Sequence, residues 1–397
     1  MNLTILIISI LITFFFPILS FPINIANYIL IKKERKIYAL LTAFSLGLVA
    51  YTWKPAMAYD LYRWQQEIRI FSYSDFSAVI QRVITDLEPL NYIIKYIISK
   101  TGNFNLVQFF ISFIGYYEIL WIIADYSQNK KINILPFTIG TIFIILSLKY
   151  ISFISGLWFN FAIINFALGI YLDYTKKTKR IHWMFYLISV LTHISTIYIL
   201  IMLIISKTIK TENYKKIIVI TFIISLLFGP ILLFLDTHIN MYIIHYISKL
   251  YNSYFINGDK YDYLHAGTNL LFSVVRLLIT LAIFYNERKN LKEYNPKLII
   301  FILITSASTS AILFHAKVYI RFIFFIQLVA IPLFFSFLSK KNTHFKTLIL
   351  SLIILFSTLL IKAQYNQMKS SELLKCINYN LNKNVFNLKN GWSEWIN

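Results

Sequence analysis

His182 to Lys216 reads HWMFYLISVLTHISTIYILIMLIISKTIKTENYKK. From His182 to Ser206 there are 25 residues without a single Asp, Glu, Lys or Arg; the stretch then opens onto Lys207, Lys210, Lys215 and Lys216. About 20 apolar residues cross the hydrocarbon of a bilayer as a helix, so this length is too short for two crossings. Basic residues in short loops mark the cytoplasmic side. By that rule both Lys207 to Lys216 and the preceding cluster, Lys176 to Arg180, are cytoplasmic, yet one full crossing would put them on opposite sides. The conflict disappears if 182–206 enters and leaves on the same side, as a re-entrant hairpin with its tip at Thr192-His193-Ile194-Ser195. Non-helical backbone at membrane depth survives only where it is buried in protein or lines a cavity. His193 is therefore a candidate functional residue from topology alone.

The rest of the chain repeats the alternation of apolar run and basic cluster. Of 397 residues, 58% are hydrophobic and only 14% charged, against the roughly one quarter usual in soluble domains. This excludes a water-soluble enzyme, a disordered chain and a collagen-like one. The first residues, MNLTILIISILITFFFPILS, lack a basic start and a small-residue cleavage site, and read as a first span. Spans are predicted over 3–31 (bent at Pro17 and Pro22), 37–53, 103–124, 132–148, 153–172, 182–206, 215–235, 267–285, 298–314, 318–338 and 345–362. With 182–206 re-entrant, all six basic clusters, twenty-one residues, face the cytoplasm; with it crossing fully, eleven of them face outward. The predicted fold is all-α: a polytopic helical membrane protein of about ten crossings, starting and finishing outside. It forms a single integral membrane domain over 1–363, followed by a tail over 364–397. The net charge of +21 is the positive-inside pattern, not a sign of nucleic acid. A sole cysteine, Cys376, excludes an internal disulfide and a Cys-ligated metal.

Two polar stretches, 54–102 and 236–266, then lie outside. In the first, Phe76, Val79, Ile80, Val83, Ile84 and Leu87 recur at helical spacing, as do Leu90, Ile93, Ile94, Ile97 and Ile98. They predict amphipathic helices lying on the outer interface. The second carries His238, His245 and His265 with Tyr242, Tyr246, Tyr251, Tyr254, Phe255, Tyr261 and Tyr263. Such aromatics suit sugar rings and suit a membrane-water interface equally.

Arginine is rare, eight residues against thirty lysines. Arg35, Arg180 and Arg288 fall in cytoplasmic clusters and need no further explanation. Arg63, Arg69 and Arg82 in the first outer loop, Arg276 inside a span and Arg321 near the outer end of another do need one. A guanidinium fork matches phosphate, so these are candidate diphosphate ligands; ion pairing with Asp60, Glu67, Asp86 or Glu88 is the structural alternative. His315 and Lys317 extend the cationic patch before Arg321. Asp60 and Glu88 are candidate general bases, and His193 joins them as donor or cation to an anionic ligand. Asp86-Leu87-Glu88 resembles a D-x-E metal pair, but i and i+2 point different ways on a helix, so no metal or cofactor is expected. P-loop, GxSxG and HExxH motifs are absent, which argues against an ATP-driven machine.

The order of Asp60-Leu61-Tyr62-Arg63-Trp64, Glu88-Pro89-Leu90, Ser155-Gly156-Leu157-Trp158-Phe159-Asn160-Phe161-Ala162, Lys176 to Arg180 and His193-Ile194-Ser195 resembles the EpsG-like branch of bacterial Wzy-type repeat-unit polymerases. The resemblance covers about residues 1–210. Trp158 stands where many relatives have Arg; if that Arg holds a lipid diphosphate, Arg63, Arg276 or Arg321 must replace it here, or Trp158 stacks on a sugar. The resemblance implies a GT-C-like membrane glycosyltransferase. It would join undecaprenyl-diphosphate-linked oligosaccharides, donor and acceptor both, into O-antigen, capsule or exopolysaccharide at the outer face of the inner membrane. Its partners would be membrane lipid, a flippase and a chain-length regulator. The rival readings are another polyprenyl-phosphate-dependent glycosyltransferase and a flippase or exporter of the same lipid-linked sugar.

Overall fold

The computed structural model describes residues 3–57, 59–130, 132–175, 180–210, 213–239, 241, 244–245, 248–249, 263–287, 296–311, 316–340 and 344–388. Every regular element among them is helical. The helices are α1 (Leu3–Phe15), α2 (Pro17–Leu30), α3 (Arg35–Thr52), α4 (Asp60–Ser72), α5 (Phe76–Asp86), α6 (Pro89–Ser99), α7 (Leu106–Lys130), α8 (Ile134–Ser147), α9 (Tyr150–Ser155), α10 (Leu157–Thr175), α11 (Ile181–Thr192), α12 (Thr196–Thr208), α13 (Tyr214–His238), α14 (Tyr263–Glu287), α15 (Pro296–Ala311), α16 (Ala316–Val329), α17 (Ile331–Ser339), α18 (His344–Ser370) and α19 (Leu373–Asn380).

The protein is a polytopic helical membrane protein. Among the described residues three helices, α7, α10 and α18, are each long and apolar enough to cross a bilayer. Two bent pairs, α13 split near Gly229 and α16 with α17, are together long and apolar enough for one broken span or re-entrant segment each, and seven further apolar stretches of the described residues are 10–17 residues long. Proline explains the first break. α1 stops at Phe15 and α2 restarts on Pro17, which has no N–H to donate and is tolerated at a first helical position. α5 and α6 occupy the two stretches of helical spacing predicted in the first outer loop, and α4 adds a third helix there. Leu87, at φ 55°, makes the left-handed turn between α5 and α6, and Pro89 opens α6.

The described residues form two compact units, Met1–Thr196 with Phe334–Asn397, and Ile197–Leu333. In the first, glycines set the helix spacing. A Cβ on Gly47 would come within 2.9 Å of Phe113, so α3 and α7 approach as only a glycine allows. A Cβ on Gly169 would come within 2.7 Å of the Tyr186 ring, so α11 lies tightly against α10. The two run antiparallel: Tyr186 packs on Phe166, Ser189 Oγ donates to the Ala162 carbonyl at 2.6 Å, and His193 meets Phe159 edge to face at 5.3 Å. The break after α11 therefore lies beside the first turn of α10.

The first basic cluster of this unit packs against the ends of α7, α8 and α10. Lys36 pairs with Asp125 of α7 at 2.7 Å, and Tyr171 of α10 donates to the other oxygen of Asp125 at 2.7 Å. Phe137 of α8 lies 3.6 Å from the Arg35 guanidinium and also packs on Phe335, just ahead of Lys340. Arg35 corrects the sequence reading, which gave it no task beyond charge. It is 1% exposed, and donates to the carbonyls of Tyr28 (3.3 Å) and Ile29 (3.2 Å) and to Ser127 Oγ (3.0 Å), closing the end of α2 against α7.

The far end is held by neutral polar groups. Gln65 of α4 donates to Asn105 and Gln108, both at 3.0 Å; Gln108 in turn donates to the Trp53 carbonyl at 2.8 Å and Asn105 to the Tyr51 carbonyl at 2.8 Å. These bonds satisfy carbonyls at the end of α3 that have no helical partner. Trp53 Nε1 donates to the Ser371 carbonyl at 3.0 Å, which places the end of α18 at the same end as the close of α3.

Because Ser371 and Trp53 share that end, Cys376 in α19 is expected to face away from the cytoplasm. A membrane-impermeant maleimide added to spheroplasts should label Cys376 without lysis. Labelling only after lysis would mean that the chain crosses an odd number of times.

Candidate functional site

The site builds from the interruption between α11 and α12. His193 has extended backbone (φ −151°, ψ 115°), its N–H bonds back to Ser189 at 3.0 Å, and its carbonyl accepts from Thr196 N–H (3.1 Å) and Oγ1 (2.8 Å). The Ile194 N–H points instead at Glu88 Oε1, 3.4 Å away, and the same carboxylate oxygen is 3.5 Å from His193 Nδ1. Ser195 Oγ also meets Nδ1, at 2.9 Å. Glu88 is presented by the Leu87 turn and the proline start of α6, and Asn91 Nδ2 holds its second oxygen at 2.8 Å. Side-chain exposures of 13% for Glu88 and 19% for His193 leave the pair half-enclosed. Two residues more than a hundred positions apart, each singled out in sequence, thus form one carboxylate–imidazole pair. A half-enclosed carboxylate beside an imidazole can take up a proton from a hydroxyl.

Behind the pair stands a group that the sequence reading missed. Lys95, at the close of the second turn of α6, has a side chain with no exposure and binds Glu67 of α4 at 2.6 Å. Its ammonium lies 4.0 Å from the ring of Trp64, 4.7 Å from Tyr92 and 5.5 Å from Trp158. Burial pulls the Lys95 ammonium below the ordinary lysine range, opposed first by Glu67 and at longer range by Glu88 and Asp86. Burial, and then its hydrogen bond to Asp86, raises the Tyr92 phenol above its ordinary range. A lysine amid isoleucines at helical spacing reads as a snorkelling solvent residue; only the approach of α4 and α10 reveals it as buried. The signal available in sequence was its place on the face of Asn91 and Ile98, four before and three after.

The other candidates divide. Trp158 opens α10, 1% exposed, and its indole N–H has no hydrogen-bond acceptor among the described residues. A cation beside it is Lys95, which the sequence reading did not name. Asp60 and Arg63 pair with each other, one turn apart on the exposed side of α4, as the ion-pair alternative expected. Arg69 and Arg82 stand exposed on α4 and α5. Asp86 and Glu88 flank the Leu87 turn, where Tyr92 donates to the first and Asn91 to the second. No cluster of three or more His, Cys, Asp or Glu residues suited to a metal occurs among the described residues. Arg276 belongs to the second unit, where it is 1% exposed and donates to Ser273 (2.8 Å) and Gln327 (3.4 Å), a bonded core position. Arg321 is half-buried in the same unit. In the second polar stretch His245 lies 3.3 Å from Asp236. His315, and Tyr242, Tyr246, Tyr251, Tyr254, Phe255 and Tyr261, lie outside the described residues, as do the side chains of Tyr263, His265 and Lys317.

Fold and site together define a polytopic helical membrane protein with a carboxylate–histidine pair at the end of its first unit remote from the basic loops. The chain belongs to the EpsG family, whose model matches residues 59–381. The match runs well past the first 210 residues that carry the motif resemblance, through the second unit and α19. Membership makes the chain a membrane protein of the polysaccharide-polymerase type. Comparison with curated proteins and with solved structures finds no match.

Two neighbours on α4 separate surface charge from buried polarity. Arg63→Ala removes an exposed pair worth less than about 0.5 kcal/mol and should leave the amount of protein in the membrane unchanged. Gln65→Leu strands Asn105 and Gln108 in the interior, costs on the order of 1–3 kcal/mol and should lower that amount; immunoblots of membrane fractions compare the two.

Proposed function

We propose that the chain polymerises undecaprenyl-diphosphate-linked oligosaccharide repeat units at the outer face of the bacterial inner membrane. The observation that carries this reading is the Glu88–His193 pair, 3.5 Å apart and at the end opposite the Lys36–Asp125 cluster. With the basic loops cytoplasmic, the pair faces the exterior, where a lipid-linked acceptor presents its sugar hydroxyls.

In the proposed reaction, Glu88 takes the proton of an acceptor hydroxyl as its oxygen attacks the anomeric carbon of the growing chain. The bond from that carbon to the diphosphate breaks, and undecaprenyl diphosphate leaves with the electron pair. His193, the Ile194 N–H and Asn91 hold the carboxylate in place, and Glu88 returns the proton to solvent after transfer. The leaving group gains charge, which cations stabilise more strongly in the transition state than in the ground state. Arg63, Arg69 and Arg82, exposed on α4 and α5 of the same loop, are the cations proposed for it. Membrane lipid, a flippase delivering the repeat units and a chain-length regulator are the proposed partners, and the product is O-antigen, capsule or exopolysaccharide.

Deletion of the gene should leave surface glycans with a single repeat unit, read as loss of the ladder on a glycan gel. Loss of all surface glycan would instead favour a flippase or an earlier transferase. At normal protein level, Glu88→Gln and His193→Ala should each reduce chain growth on the order of 10²-fold or more; a full ladder from both would place the chemistry elsewhere.

With arginines as the diphosphate's counter-charges, purified protein should extend lipid-linked repeat units in excess EDTA. Activity that vanished there and returned with magnesium or manganese would move the assignment to a metal-dependent glycosyltransferase.

A further inference from the structure

Lys95 is an unusual placement. A fully buried ammonium is costly unless paired, and retaining one in a short amphipathic helix calls for a reason. Among the described residues it contacts one carboxylate, Glu67 at 2.6 Å, and the ring faces of Trp64 at 4.0 Å, Tyr92 at 4.7 Å and Trp158 at 5.5 Å. Those residues come from α4, α6 and α10. The same ammonium also feels Glu88 and Asp86. With no exposure it cannot itself touch a substrate, so it acts through what it holds.

We propose that Lys95 is a positioning residue for the Glu88–His193 pair: clamped by Glu67 and three aromatic rings, its ammonium holds α6 against α4 and α10, so fixing Glu88 at the start of that helix, and supplies the positive field in which Glu88 works. The geometry is direct. Glu88 caps the start of α6, seven residues before Lys95, and α6 packs against α4, α5, α7 and α11. A cation held in a low-dielectric cage favours the ionised form of a neighbouring carboxylate, the form a base requires. Glu67 opposes that field from the other side. The charged and titratable groups that face Lys95 and Glu88 are Glu67 on α4, Asp86 on α5, Tyr92 on α6 and His193 after α11.

The inference rests on Glu88 as the base, and the test separates the two. Protein in nanodiscs would extend lipid-linked repeat units extracted from the deletion strain, with product measured from pH 4 to 9. Lys95→Met removes the positive charge and should move the acid limb of the profile up by about one pH unit. Glu67→Gln removes the opposing negative charge and should move it down by a similar amount. Lys95→Arg keeps the charge and should hold the limb near the wild-type position. Limbs that stay fixed, or that shift the same way in the methionine and glutamine variants, overturn the proposal and leave Lys95 a purely structural clamp. Should Lys95→Met be lost from the membrane, Glu67→Gln and Lys95→Arg decide by the same limbs. Full activity in Glu88→Gln would instead remove the base reading itself.

Discussion

A helix interrupted inside a membrane protein must find new partners for the backbone groups it frees, because lipid offers none. That constraint organises the site. At His193 the chain leaves helical geometry for three residues, and the freed Ile194 N–H is met by Glu88 at 3.4 Å. The carboxylate comes from α6, so the break can exist only if the α4–α6 loop folds down against α10 and α11. The same contact that satisfies the backbone brings the carboxylate to the imidazole. Structural need and chemical opportunity fall on one oxygen atom, Glu88 Oε1.

Charge is sorted along the first unit by the same low dielectric. At the basic end, cations are either paired, as Lys36 with Asp125, or bonded to carbonyls, as Arg35. At the far end, the neutral side chains of Gln65, Asn105 and Gln108 close the end of α3. Ionised groups are admitted there where a partner is built in: Lys95 with Glu67, Glu88 with Asn91 and His193. The proposed reaction on charged lipid-linked substrates would require such a division, with the loops that fix orientation kept apart from the groups proposed to handle a diphosphate.

The arginines share one fork but not one setting. Arg63 pairs with Asp60 on the exposed side of α4, while Arg276 donates to Ser273 and Gln327 in the interior of the second unit. Arg35, given no task beyond charge in the sequence, is with Arg276 the most enclosed arginine among the described residues. A lysine, Lys95, furnishes the cation caged by Trp64, Tyr92 and Trp158.

What the sequence determined by itself was set by local periodicity and by lipid: the helical class, the proline break at Pro17, the amphipathic α5 and α6, the interruption at His193, and the EpsG-like order of motifs. Each depends on residues within a turn or two of one another, or on the length of an apolar run. The tertiary structure alone decided which residues share the site. Glu88 and His193 are 105 positions apart, and Lys95, Glu67, Trp64 and Trp158 come from three helices. Their meeting depends on glycine-tight packing at Gly169 and on the polar closure at Gln65. A one-dimensional pattern cannot encode such contacts legibly, because the energy of a buried charge depends on what surrounds it in space, not on its neighbours along the chain.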